Sequence, residues 1–534
     1  MPRRARLAII LNAHLPYVRH LELPWCIEEA WLFEALLECY LPLLEMLDRL
    51  LRDRVEFRLA VGITPTLAAM LEDPRLRERF REHLSRLEEL CAREALRLRH
   101  VPDQYALIVF YRQRLARLRR FYERELSGDV VRAFGMLAEQ GSVECFASAA
   151  THALLPSLRG AEEFLRAQVR LGVRALGRKS AGGFWLPECG YCPGLDRLLA
   201  EEGVRWVVLE AGALARAEPP ARYGVYAPVA LPSGVIALAR DPLSSRQVWS
   251  AHEGYPGDPE YREFHRDIGF DLPLAHLLPV IGEEGSRVAT GLKYHRVTGR
   301  DAHKEIYRPP VALERAKEHA RHFLESRGAQ VDGLAAHVEG TPLFVTPFDA
   351  ELFGHWWFEG GAWLEEVLRL SAEPRFGLET VTPSQCVEDL RDAQTVQPPL
   401  STWGTGGSTE TWINEGTSWI HSRLERAAEP LVRLARAAPA SWQRPFLEQA
   451  ARELLLAQAS DWPFIINAGT SSEYAHRRLT DHLDAAETLV SVADGVAPKV
   501  GDDALYRERL ARWPIFPDLR VEDFVIESGS ARVL

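Results

Sequence analysis

The amino-acid sequence predicts an α/β fold assembled from parallel βα units, and three observations carry that expectation. Short apolar runs recur along the chain, each ending in a polar loop and followed by a helix-like stretch: Leu7 to Leu11, Val55 to Val61, Val143 to Phe146, Phe184 to Leu186, Val204 to Leu209 and Leu343 to Thr346. Strands that alternate with helices pair in parallel, in a barrel or a doubly wound sheet. The first run leads into Asn12-Ala13-His14-Leu15-Pro16-Tyr17 rather than a glycine-rich phosphate loop, which removes the dinucleotide-binding reading. Two later runs end in carboxylates, and chemistry collected at strand C-terminal ends selects the barrel.

The remaining elements follow in chain order. From about Leu71 to Leu126 the sequence is dense in Arg, Glu and Leu at helical spacing and reads as an inserted helical subdomain. Glu and Asp are interleaved with its basic residues, so it reads as solvated helix faces and not as a nucleic-acid patch. The segment Gln394 to Thr409, with Pro398-Pro399 and three glycines, ends the strand-bearing part, and helices are expected from Trp412 to about Ala493. Two domains result, a catalytic one over 1–395 with its insertion at about 71–126, and an α-helical one over 396–534.

At 534 residues the chain can bury a large core without disulfides. Its seven cysteines are odd in number and scattered, and no apolar leader follows Met1, which predicts a cytoplasmic protein. No run of roughly 18 apolar residues would span a membrane. A formal charge of −11 excludes a nucleic-acid backbone as the main ligand, which would need a basic footprint. Fourteen Trp residues suit a neutral sugar, whose C–H faces stack on flat aromatic rings, although Trp is also an ordinary core residue.

Phe184-Trp185-Leu186-Pro187-Glu188 sets a carboxylate just past a strand, and Phe348-Asp349-Ala350-Glu351-Leu352-Phe353-Gly354-His355-Trp356-Trp357 does the same with an Asp. At a barrel mouth these two can meet, as glycosidic chemistry requires: one carboxylate attacks the anomeric carbon while the other protonates the departing oxygen. A carboxylate after a strand is often only a helix cap or an arginine partner, but the aromatic residues crowded behind Asp349 exceed what a cap needs. Cys189-Gly190-Tyr191-Cys192 has dithiol spacing but lacks a small βαβ context, and no second Cys or His pair accompanies it to make a zinc site.

Together these stretches resemble glycoside hydrolase family 57, and within it the α-1,4-glucan branching enzymes. The resemblance rests on Ala13 to Arg19, Ala149-Ala150-Thr151-His152, Trp185 to Tyr191, Asp241-Pro242, Gln247 to Ser250, Glu253 to Asp258, Phe348 to Gly360 and Ser460-Asp461-Trp462-Pro463-Phe464, in the family's order. It implies a distorted (β/α)7 TIM-like barrel with an inserted helical subdomain and a C-terminal α-helical domain that completes the cleft. It also implies retaining transglycosylation that cuts an α-1,4 bond and forms an α-1,6 branch in amylose or glycogen. Glu188 would be the nucleophile and Asp349 the general acid/base, with opposite protonation in the resting enzyme. His14 and His152 resemble substrate-binding histidines, Trp31, Trp403 and Trp412 cleft aromatics, and Asp461 a sugar-hydroxyl ligand with a helix N-cap as its competitor. Asn12 stands where branching enzymes usually carry His, and can still hydrogen-bond a hydroxyl. A covering loop that carries a tyrosine in the family is expected around Arg222 to Ser245, with its tip at Leu231 to Val235, where this chain has no Tyr. No metal and no cofactor is expected, since two carboxylates suffice, and a monomer is expected. Hydrolysis or 4-α-glucanotransfer by the same carboxylates, and non-catalytic glucan binding, are the alternatives.

Overall fold

A computed structural model of the protein describes residues 5–20, 23, 26–177, 182–250, 253–281, 286–299, 303–499 and 501–526. Among the described residues nine strands form the sheet: β1 (Ala5–Ala13), β2 (Leu59–Ile63), β3 (Val143–Ser148), β4 (Gly183–Trp185), β5 (Trp206–Leu209), β6 (Val229–Ala230), β7 (Ile236–Ala239), β8 (Leu343–Asp349) and β9 (Leu378–Thr380). The order is β6-β7-β5-β4-β3-β2-β1-β8, with β9 also paired to β1. Every pairing is parallel except β6 with β7. A bridge between Arg240 and Val345 then joins the β7 side to β8, so the seven parallel strands β1, β2, β3, β4, β5, β7 and β8 curl into a distorted barrel.

Why these runs are strands is visible in their burial. β3, β5 and β7 are covered on both faces, as parallel strands in a helix-clad barrel must be, so β5 and β7 read as unbroken apolar runs and β3 as one interrupted by Glu144. Alternate residues still part to opposite sides. Ala8, Ile10, Phe146, Trp185, Trp206, Val208, Leu238, Leu343 and Val345 fill the interior, while Leu7, Ile9, Leu11, Val207 and Leu209 face the helical layer. Gly62 of β2 leaves room for the Phe146 ring, which would lie 2.1 Å from a Cβ there.

Between β2 and β3 stand the helices Pro74–Arg97, Pro102–Arg120 and Val130–Glu139. The first opens on Asp73, whose side chain accepts from the Arg75 and Leu76 amides with Pro74 behind it, and buries Leu76, Phe80, Leu84, Leu87, Leu90 and Cys91 along one stripe. Its arginines pair along the surface, as Arg93 does with Glu89 at 2.6 Å. After β9 come Ser418–Arg436, Arg444–Ala457, Asp461–Ala468, Ser472–Ala493 and Asp502–Arg512, so the helical part reaches one helix further than expected.

Two expectations are corrected. β2 begins at Leu59, where pairing to β3 starts, and not at Val55. The segment 222–245 is not a loop over the mouth: Ile236–Ala239 is a barrel strand, and Leu231 to Val235 is the turn joining β6 to β7, its two ends buried and closed by Leu231 N to Val235 O at 2.8 Å. That turn precedes β7 and so lies at the opposite end of the barrel from the carboxylates. Among the described residues no helix is long and apolar enough to cross a membrane, and all seven cysteines are free and buried.

Candidate active site

Strand alternation places the first two site residues. Ala8 and Ile10 of β1, and Leu343 and Val345 of β8, point into the barrel, and continuing by twos reaches Asn12 and Asp349. These two are register partners, at the strand ends. Glu188 arrives differently. β4 ends at Trp185, Pro187 starts one 3-10 turn, and Glu188 sits there with φ 60° and ψ 21°, a left-handed conformation a side-chain-bearing residue adopts at a cost of order 1 to 3 kcal/mol. Surrounding hydrogen bonds hold it: Cys189 N to Leu186 O at 2.9 Å, Trp403 N to Glu188 O at 2.9 Å, and Tyr191 N to Ser401 O at 2.9 Å.

Each Glu188 oxygen receives a donor. Trp403 Nε1 donates to Oε2 at 2.8 Å and Ser460 Oγ donates to Oε1 at 2.8 Å. His152 Nδ1 lies 3.1 Å from Ser460 Oγ, and its Nε2 lies 3.4 Å from Asn12 Nδ2. An amide nitrogen can only donate, so His152 accepts at Nε2, carries its proton on Nδ1, and gives it to Ser460, leaving the serine proton for Glu188. Burial, with the His14 charge beside it, holds His152 well below its ordinary value, in keeping with this neutral tautomer. Burial also raises Glu188, while the Trp403 and Ser460 donors pull it back toward the carboxylate.

His14 stacks on His152 with centroids 3.7 Å apart and planes 12° from parallel. Its Nε2 meets the Asp461 carboxylate at 3.0 Å and its Nδ1 meets Thr64 Oγ1 at 3.0 Å. Burial alone would depress it, but Asp461, Glu351 and Glu188 carry it above its ordinary value. Asp349 is pushed up to about 8 by burial and by the charges of Glu351 and Glu188, with His14 and an Asn12 hydrogen bond opposing. The two carboxylates thus differ in a useful way: one carries two donors, the other retains a proton at neutral pH.

The C-terminal helices reach the site through one seam. Thr151 Oγ1 donates to Leu455 O at 2.5 Å, Ser460 N to His152 O at 3.1 Å, and Ala153 bridges Ala459. Asp461 opens the next helix without capping it, and its carboxylate is spent on His14. Trp403 lies edge-on to Trp185 and Trp249, under Arg240. Trp412 is 1% exposed and packs against Gly404, so it props the loop and offers no open face to a sugar, a correction to its expected place in the cleft. Trp31 is half-buried and edge-on to Tyr474.

His14, His152 and Asp461 bring donor atoms within 4.8 Å of one another. A metal does not fit them, because both nitrogens of His14 are engaged and its charge is favoured. Cys189 and Cys192 are buried, which pushes both thiols up and away from redox chemistry. Sequence reasoning missed Tyr40 and Thr64, and passed over Ser460 and Glu351 within motifs it quoted.

The description "Glycosyl hydrolase family 57" matches residues 8–399, and "1,4-alpha-glucan branching enzyme, C-terminal" matches 423–524. A 1,4-alpha-glucan branching enzyme of Thermococcus kodakarensis is 35% identical over 89% of this chain and 72% of its own. A probable 1,4-alpha-glucan branching enzyme of Mycobacterium tuberculosis is 31% identical over 90% and 91%. Among solved structures, the GH57-type branching enzyme of Pyrococcus horikoshii superposes with TM-score 0.87 and 30% identity, covering 99% and 98%. An alpha-amylase of Thermotoga maritima superposes with TM-score 0.90 and 37% identity, covering 98% and 100%.

Proposed function

This chain belongs to glycosyl hydrolase family 57, and from that premise we propose how its site works upon an α-glucan. The protein is a 1,4-α-glucan branching enzyme, a glycosyl-transferring enzyme on a family 57 scaffold. In our reading Glu188 attacks the anomeric carbon of an α-1,4-linked chain, and the C1–O4 bond breaks as Asp349 gives its proton to O4. The 6-hydroxyl of an acceptor chain then attacks C1 and releases Glu188, its proton passing to Asp349, so an α-1,6 branch replaces the α-1,4 bond. The two inversions at C1 give net retention.

One observation carries this assignment: Glu188 has a donor on each oxygen, suited to a carboxylate, while Asp349 is held protonated up to about pH 8. Asn12, whose Oδ1 is buried without a partner, is read as a ligand for a sugar hydroxyl, with His14 and His152 beside it. Trp403 and Asp461 serve by fixing Glu188 and His14, and Trp31 lines the cleft. The reaction as written needs neither metal nor cofactor. We assign residues 1–395 to the catalytic domain and 396–534 to the helical domain, and read the protein as a cytoplasmic monomer.

Hydrolysis is the competing fate of the same glycosyl-enzyme, favoured by Asn12 in place of the usual His and by the amylase named among the similar structures. Linear amylose decides. Branching lowers the iodine absorbance with few new reducing ends and leaves short chains released only by an α-1,6-debranching enzyme. Matching new reducing ends would show that water, not a glucan hydroxyl, resolves the glycosyl-enzyme. Glu188→Gln should abolish either action, and an unchanged rate would overturn the nucleophile assignment.

A further inference from the structure

We propose that Glu351 is a positioning residue for the general acid, placing a fixed negative charge two residues along the loop from Asp349, with Tyr40 as the hydroxyl that holds it there. The inference rests on Asp349 being the acid. Four contacts fix the Glu351 side chain and its backbone. Oε1 accepts the Tyr40 hydroxyl at 2.5 Å and the His14 amide at 3.0 Å, and the Glu351 carbonyl accepts the His355 and Trp356 amides at 3.2 Å each. Burial raises the Glu351 carboxyl above its ordinary value, and the two donors on Oε1 pull it back toward the carboxylate.

Tyr40 reaches this place because residues Leu36–Tyr40 form a single π turn, which re-aims the helix face. That turn is pinned to the loop. Cys39 Sγ donates to Ala350 O at 2.9 Å, and Gly354, at φ 131°, comes so close that a Cβ there would lie 1.7 Å from Glu38 O. The groups facing Glu351 are therefore His14, Tyr40, Cys39 and Asp349, and those facing Asp349 are Glu351, Glu188, His14, Asn12, Tyr40 and Cys189. Glu351 and Glu188 are the leading negative charges on Asp349 among the described residues, and Glu188 loses its own when it becomes the glycosyl ester. Glu351 forms and breaks no bond in either step, so its carboxylate stays beside Asp349 throughout, held by Tyr40 and the His14 amide.

The test is the pH dependence of kcat/KM on amylose for the unaltered enzyme, E351Q and E351D. E351Q should stay active near pH 6 while its alkaline limb moves down by ~1 pH unit, and E351D, which keeps the charge, should return the limb upward. Loss of the same fraction at every pH, with the limb unmoved, would mean a structural role only and would overturn the inference. If E351Q does not fold, Tyr40→Phe decides in the same way: a lowered limb supports the proposal and an unmoved one overturns it. An Asp349→Asn variant as active as the unaltered enzyme would overturn the acid assignment itself, whereas an inactive one beside an unmoved E351Q limb overturns this inference alone.

Discussion

Replacing Ser460 by Ala tests how Glu188, the proposed nucleophile, is held. The change removes one hydroxyl that donates to Glu188 Oε1 at 2.8 Å and takes the His152 Nδ1 proton at 3.1 Å, while the backbone bond from Ser460 N to His152 O survives. A hydrogen bond to a charged group contributes about 1.5 to 3 kcal/mol. If that stabilisation is lost from the oriented carboxylate, kcat/KM should fall by roughly 10- to 150-fold. The sign on pH also follows. Glu188 must be ionised to attack, so activity disappears as pH falls through its pKa; a lost donor raises that pKa, and the acid limb should climb by about 1 to 2 pH units. The assay is the initial fall in iodine absorbance on amylose, measured from pH 4 to 9, with thermal unfolding as the control for fold. A kcat/KM within twofold of the unaltered enzyme, with the acid limb in place, would refute the reasoning.

Trp403→Phe keeps an aromatic ring but deletes the Nε1 donor on Glu188 Oε2, so kcat should drop by about tenfold with less effect on KM; the reverse pattern would make Trp403 a sugar platform instead. The unaltered enzyme should lose activity as pH rises through about 8, because the acid is neutral only below that value; a profile flat to pH 10 would contradict it. Glu38→Ala would strand Arg262, now paired to Glu38 at 2.7 and 2.9 Å with both nearly fully buried, and should cost about 3 to 5 kcal/mol in urea-unfolding stability.

Much of the barrel was legible because buried parallel strands are continuous apolar runs: β1, β3, β5 and β8 all announce themselves that way. β7 escaped although Ile236-Ala237-Leu238-Ala239 is such a run, because the Pro232-Ser233-Gly234 turn before it drew the whole stretch into a loop. A turn flanked by apolar residues on both sides is a hairpin signal, and Val229-Ala230 was too short a partner to complete it. β9 has three residues and no pattern to read. In the candidate site, Glu188 and Asp349 stood out in the sequence because each follows an apolar run at or just past a strand's end. Tyr40 and Ser460 did not, since their meaning depends on partners 311 and 272 residues away and on a π turn that no local pattern signals. Trp412 misled for the opposite reason: an aromatic residue in a loop looks like a ligand platform until its burial is known.

The seam between barrel and helices also sets an order of events in synthesis. The last sheet strand ends at Thr380, so a nascent chain can have all of its strands outside the ribosome while Trp403 and Ser460 are still in the tunnel or untranslated. At that stage Glu188 lacks both of its donors, and His152 lacks the serine that takes its proton. The hydrogen bonds around Glu188 are therefore completed late, with the docking of the Arg444–Ala457 helix against Thr151.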